Sequence, residues 1–89
     1  MEHELNLLNG KTIVIVRDGF GTQSDSWVGQ LTVLPEKYPL GFHFQSTDFA
    51  IYFTADDVLK LDDSIDKITA KIIRLKGPND YAQVYQISH

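Results

Sequence analysis

The chain has 89 residues, 43% of them hydrophobic, 22% charged and 11% aromatic, and a net charge of −4 at pH 7. A chain of this size buries only about 60–65% of its unfolded surface, which is one modest core and one domain, and the composition is neither disordered nor fibrous. The absence of cysteine excludes disulfides, thiolate metal sites and a thiol nucleophile, and no apolar run, Ile13 to Val16 included, comes near the about 20 residues of a membrane-spanning helix.

Residues 1–8 are acidic, with too short an apolar stretch for a secretion signal, so a cytoplasmic protein without a membrane partner is expected. Thr12-Ile13-Val14-Ile15-Val16 is rich in β-branched side chains and closes on Asp18-Gly19, which predicts a strand. Residues 18–26, with Gly19 and Gly21, read as a loop. From Trp27 the pattern alternates, with Trp27, Gly29, Leu31 and Val33 on one face and Val28, Gln30 and Thr32 on the other. Pro35 and Pro39 end that strand. Residues 42–45 form a further short strand, Ser46-Thr47-Asp48 a turn, and residues 49–53 a strand with Phe49, Ile51 and Phe53 on one face. Ala55-Asp56-Asp57 predicts one helical turn leading into a closing strand over residues 58–61.

Residues 64–75 admit two readings. At helical spacing Ile65, Ile68, Thr69, Ile72, Ile73 and Leu75 share one side, and Lys67, Ala70, Lys71 and Arg74 the other. Five β-branched residues in that stretch suit a strand instead. The expectation adopted is the helix, followed by an edge strand over residues 81–87. The sum is a mainly β domain: a small, strongly bent, five-stranded antiparallel barrel over residues 8–61, with a C-terminal extension over residues 62–89.

Charge is unevenly spread, with −4 concentrated in residues 56–66 and +3 in residues 67–89. A sequence-indifferent phosphate binder carries a basic excess, and this chain does not, so nucleic acid is disfavoured as a partner. Gly19-Phe20-Gly21 lacks the third glycine of a dinucleotide-binding turn, where Ser24 stands. The acidic run at Asp62-Asp63-Ser64-Ile65-Asp66 has Lys67 and Ile73 where a calcium loop needs Gly and Glu. His3, His43 and His89 have no metal-binding spacing, and His43 has no local orienting carboxylate or nucleophile. No catalytic residue, metal ligand or cofactor site is therefore expected. The candidate partner-binding residues are aromatic and apolar: Phe20 and Tyr38 in loops, Trp27 where a loop rejoins the sheet, and Phe49, Ile51 and Phe53 on an uncharged strand.

Leu8-Asn9-Gly10, the strand after it, Asp18-Gly19 and Trp27-Val28-Gly29-Gln30-Leu31 together resemble the first motif of Sm-like barrels, a rhythm shared by Src-homology-3-type barrels. Residues 49–53 with Ala55-Asp56-Asp57-Val58 resemble the second motif. The resemblance implies a five-stranded bent barrel and ring oligomers joined through the fourth and fifth strands, here residues 49–54 and 58–61. In RNA-binding relatives the turn after the second strand carries Asp and Asn. Here it reads Leu34-Pro35-Glu36-Lys37-Tyr38, and no RNA-contact residue carries over. The function expected is a non-enzymatic interaction module acting as a homo-oligomer or on a protein partner. The alternatives are an Sm-like RNA or single-strand binder using Tyr38, Phe20 and the cations of residues 67–76, and, more distantly, a small hydrolase or metal enzyme.

Overall fold

The β-branched run forms strand β1, Thr12–Asp18, in a computed structural model that describes residues 1–19, 24–63 and 71–77. Ile13 and Ile15 are fully buried on one face of β1, as period-two alternation requires. Strand β2, Ser24–Leu34, pairs antiparallel with β1 from Thr12↔Gln30 to Asp18↔Ser24. Of the residues expected in a loop over 18–26, Asp18, Ser24, Asp25 and Ser26 join the ladder instead, and residues 20–23 lie outside the described residues.

Beyond Gln30, β2 leaves β1 and pairs with strand β3, Gly41–Gln45, from Gln30↔Gln45 to Leu34↔Gly41. One strand therefore serves two neighbours with its two halves, and the sheet must bend at the changeover. Gly29 stands there: a Cβ on it would lie 2.2 Å from the Gln45 carbonyl oxygen and 2.9 Å from the Phe44 ring. The absence of a side chain is what lets β3 close over β2. Strand β4, Ala50–Thr54, completes the meander antiparallel to β3. The core gathers inside this bend, with Phe42, Phe44, Phe53 and Leu31 at most 1% exposed alongside Ile13 and Ile15.

A short helix α1, Glu2–Asn6, not expected from the sequence, contributes fully buried Leu5, and Leu8 follows it into the core. Leu5 is the one apolar residue within the helix itself. Hydrogen bonds anchor the segment after it: the Gly10 N–H donates to the Leu31 carbonyl at 2.7 Å, and Asn9 Oδ1 accepts from the Val33 N–H at 2.9 Å. Gly10 holds φ +77°, the left-handed region that favours glycine.

A 3-10 turn, Ala55–Asp57, joins β4 to strand β5, Val58–Asp63. Asp57 takes the Thr54 N–H at 2.9 Å in a capping box, as the Thr-Ala-Asp-Asp spacing allows. Strand β6, Lys71–Leu75, pairs antiparallel with β5 and parallel with β1. The helix expected over residues 64–75 is thus overturned across Lys71–Leu75. Ile72, Ile73 and Leu75 fit a slot beside β1 in which Ile73 and Leu75 are buried, and tertiary pairing outweighs the helical periodicity. The rest of that expected helix, and the edge strand expected over residues 81–87, lie outside the described residues.

The sheet order is β4-β3-β2-β1-β6-β5. The fold is mainly β, but the sheet has six strands, one parallel pairing and open ends at β4 and β5 among the described residues. The all-antiparallel, five-stranded description is corrected on those points. Within the expected C-terminal extension, β6 lies inside the sheet and separates β5 from β1.

Candidate interaction surface

Strand β4 presents the simplest of the two open edges. The Ser46 N–H donates to the Phe49 carbonyl at 2.8 Å and starts the β3–β4 ladder. Bonded and non-bonded pairs alternate along an antiparallel ladder, so Phe44–Ile51 and Phe42–Phe53 are bonded pairs. The N–H and C=O of Ala50 and Tyr52 then point away from β3, to an edge that is unpaired among the described residues. Thr54 belongs to the same outward set, and its N–H is the one that Asp57 takes. No residue of β4 is charged, and its register with β3 has no bulge.

The β5 edge differs. Its register with β6 shifts between Val58 and Lys60, leaving Leu59 as an extra residue, 47% exposed. Three of the four residues after Leu59, namely Lys60, Asp62 and Asp63, are charged. A bulge and charged side chains are the ordinary devices that discourage strand addition. On the outer face, Tyr52 and Val28 are exposed large hydrophobics.

Of the residues singled out in the sequence, the structure brings together Trp27, Phe49 and Ile51. Trp27 and Phe49 stack with ring centroids 3.9 Å apart and planes 10° from parallel, and Phe44 meets Phe49 at 6.2 Å. Trp27 and Phe49 are half-buried members of the core margin, and Ile51 is half-buried beside them on β4. Phe53 is 1% exposed, so its side chain is core and not contact surface. Tyr38 is fully exposed in the turn after β2, at the opposite end of that strand from Trp27. Phe20 lies outside the described residues.

Sequence reading missed Arg17. The inward set of β1 is Ile13, Ile15 and then Arg17, so a cation stands where the apolar pattern would continue. Its guanidinium lies 5.6 Å from the Phe49 ring centroid and 5.9 Å from that of Trp27. Carrying the alternation two residues past Ile15 would have flagged it.

The basic residues grouped by sequence do not form one stripe. Successive side chains of a strand point to opposite faces, which separates Lys71 from Arg74 in β6. Lys71 is bonded to Asp63, Arg74 lies 3.8 Å from Asp18, and Lys60 lies 3.3 Å from Asp62. Each of these cations is answered by a carboxylate. No helix among the described residues is long and apolar enough to cross a membrane. No family model matches the chain, and no curated protein and no solved structure matches it at a significant level.

Proposed function

We propose that this domain is a non-enzymatic interaction module that self-associates by strand addition at β4. The observation that carries this reading is an uncharged, unbulged edge strand whose Ala50 and Tyr52 backbone groups face outward. Such an edge is a template for another strand, because added main-chain hydrogen bonds satisfy groups that no strand among the described residues pairs. In the same reading β1–β5 correspond to the five strands of an Sm-like barrel and β6 is an addition beside β1. Support comes from the 3-10 turn, which joins the two outermost strands of the sheet directly. The bulged and charged β5 edge disfavours the β4–β5 ring that the Sm-like resemblance implies, so the contact favoured is β4 to the β4 of a second copy, an isologous pair. The paired states of Lys60, Lys71 and Arg74 weigh against the nucleic-acid alternative.

Light scattering at high micromolar concentration and low salt should give a mass above that of the 10.1 kDa chain. Tyr52→Lys, on the exposed outer side of the edge, should return the monomer with the fold intact. Leu59→Lys should do the same for a β4–β5 ring and leave a β4–β4 dimer unchanged. A wild-type chain that stays monomeric under these conditions overturns the reading.

A further inference from the structure

A second feature of the β4 margin points to a ligand and not to another strand. Ile51, Tyr52 and Phe53 of β4 face Arg17 at the end of β1 and Leu75 and Lys76 at the end of β6 across a cleft of about 150 Å3, with Asp57 at one side. The cleft exists because the sheet curls without β4 pairing to β6, while the Lys76 N–H donates to the Asp57 carbonyl at 2.8 Å and holds that end of β6 against the turn.

The charges of this cleft are distributed unlike those of the neighbouring strands. Lys60, Lys71 and Arg74 each have a carboxylate partner. Arg17 and Lys76, by contrast, form no ion pair among the described residues, although the chain as a whole is acidic. Asp25, the register partner of Arg17, makes no ion pair with it. The carboxylate of Asp57 is engaged by the N–H and hydroxyl of Thr54. The Arg17 guanidinium lies within cation–π distance of the Phe49 and Trp27 rings, a contact that leaves its N–H groups free to donate elsewhere.

We propose that this cleft is a binding site for a carboxylate group on a small organic acid, held by Arg17 and Lys76. A planar guanidinium matches a carboxylate through two parallel N–H···O bonds, and Lys76 supplies a second charge. The half-buried Ile51 beside the cations gives a short methylene stem an apolar surface. All the groups come from one chain, so the site does not depend on self-association.

The test is a titration of the isotope-labelled full chain with glutarate, followed by NMR at the Arg17 Nε–H and the Lys76 and Tyr52 amides. Sodium chloride at matched ionic strength is the control. The expected result is a saturable shift at all three positions with a Kd of about 1–10 mM. Lys76→Gln and Arg17→Lys should each weaken it, the latter about tenfold because the fork geometry is lost while the charge remains. Phosphate serves as a tetrahedral comparison, and binding it as tightly as glutarate would overturn the carboxylate assignment. Shifts that grow linearly, match those from chloride, or persist unchanged in Lys76→Gln and Arg17→Lys would overturn the site itself.

Discussion

The β1–β4 meander and the β5–β6 pair are held by different forces. In the meander, Phe42, Phe44, Phe53 and Leu31 meet Ile13 and Ile15 across the bend of β2, and every pairing is between consecutive strands. Among the described residues of the second region Val58, Ile73 and Leu75 are buried and Leu61 packs against the core margin, and its surface carries the ion pairs Lys60–Asp62, Lys71–Asp63 and Arg74–Asp18. Fully burying a large apolar side chain contributes about 1.5–3 kcal/mol, whereas exposed ion pairs contribute about 0–1 kcal/mol. Stability should therefore concentrate in the meander, with β5–β6 attached through the parallel β1–β6 pairing.

The largest expected effect follows directly. Phe44→Ala removes a fully buried ring that touches the Phe49 cluster and sits under Gly29, and should cost about 3–5 kcal/mol in denaturant unfolding. Because β1 carries β6, losing the meander should release β5–β6 in the same transition. A separate, later transition for β5–β6 by hydrogen exchange would break the ranking of the two regions.

Gly29→Ala probes how the meander bends. A methyl there would stand 2.2 Å from the Gln45 carbonyl oxygen and 2.7 Å from its carbon, which are backbone atoms and cannot swing aside. The β2–β3 crossing must open instead, at an expected cost of about 1–3 kcal/mol. Amide exchange should quicken along Leu31–Phe44 and Val33–Phe42 before it does in β1. A neutral substitution would mean that the bend is set elsewhere.

The same contrast explains what the sequence made legible. Alternation named the inward residues of β2 and β4 correctly, because a meander writes its pairing into adjacent segments: Leu31 and Phe53 are buried, and Trp27, Val33, Phe49 and Ile51 pack at the core margin. Ile72-Ile73 could not be assigned the same way. Its partner, β1, lies more than fifty residues earlier, and a parallel neighbour leaves no turn signal between the two strands. Helix α1 was hidden by its brevity, with two buried leucines in a polar segment. For the candidate surface, the uncharged β4 edge was readable, whereas the cleft was not. Arg17 and Lys76 are far apart in sequence and meet only because β6 aligns Leu75 with Arg17.

The smallest expected effect tests whether the surface ion pairs matter to β5–β6 at all. Lys71 bonds to the Asp63 carboxylate, and that hydrogen bond, with the lysine charge, holds the Asp63 carboxyl below its ordinary value of 3.8. Asp63 in the unfolded chain titrates near that ordinary value, so the folded state binds its proton less readily than the unfolded state. The pair's contribution is then fully present above about pH 4 and is lost as the pH falls through the lowered folded value. Both groups reach solvent, and water and salt screen the interaction, so the change in global stability should be slight. Carboxyl NMR is the sensitive measurement. Lys71→Met should bring the Asp63 midpoint back up toward 3.8, and added salt should move the wild-type midpoint in the same direction. If exchange protection at Ile72 and Ile73 survives Lys71→Met unchanged, the buried side of β6 alone holds the pair to the sheet. If that protection collapses, the ion pairs carry more of the second region than its exposure implies, and the division between the two regions must be redrawn.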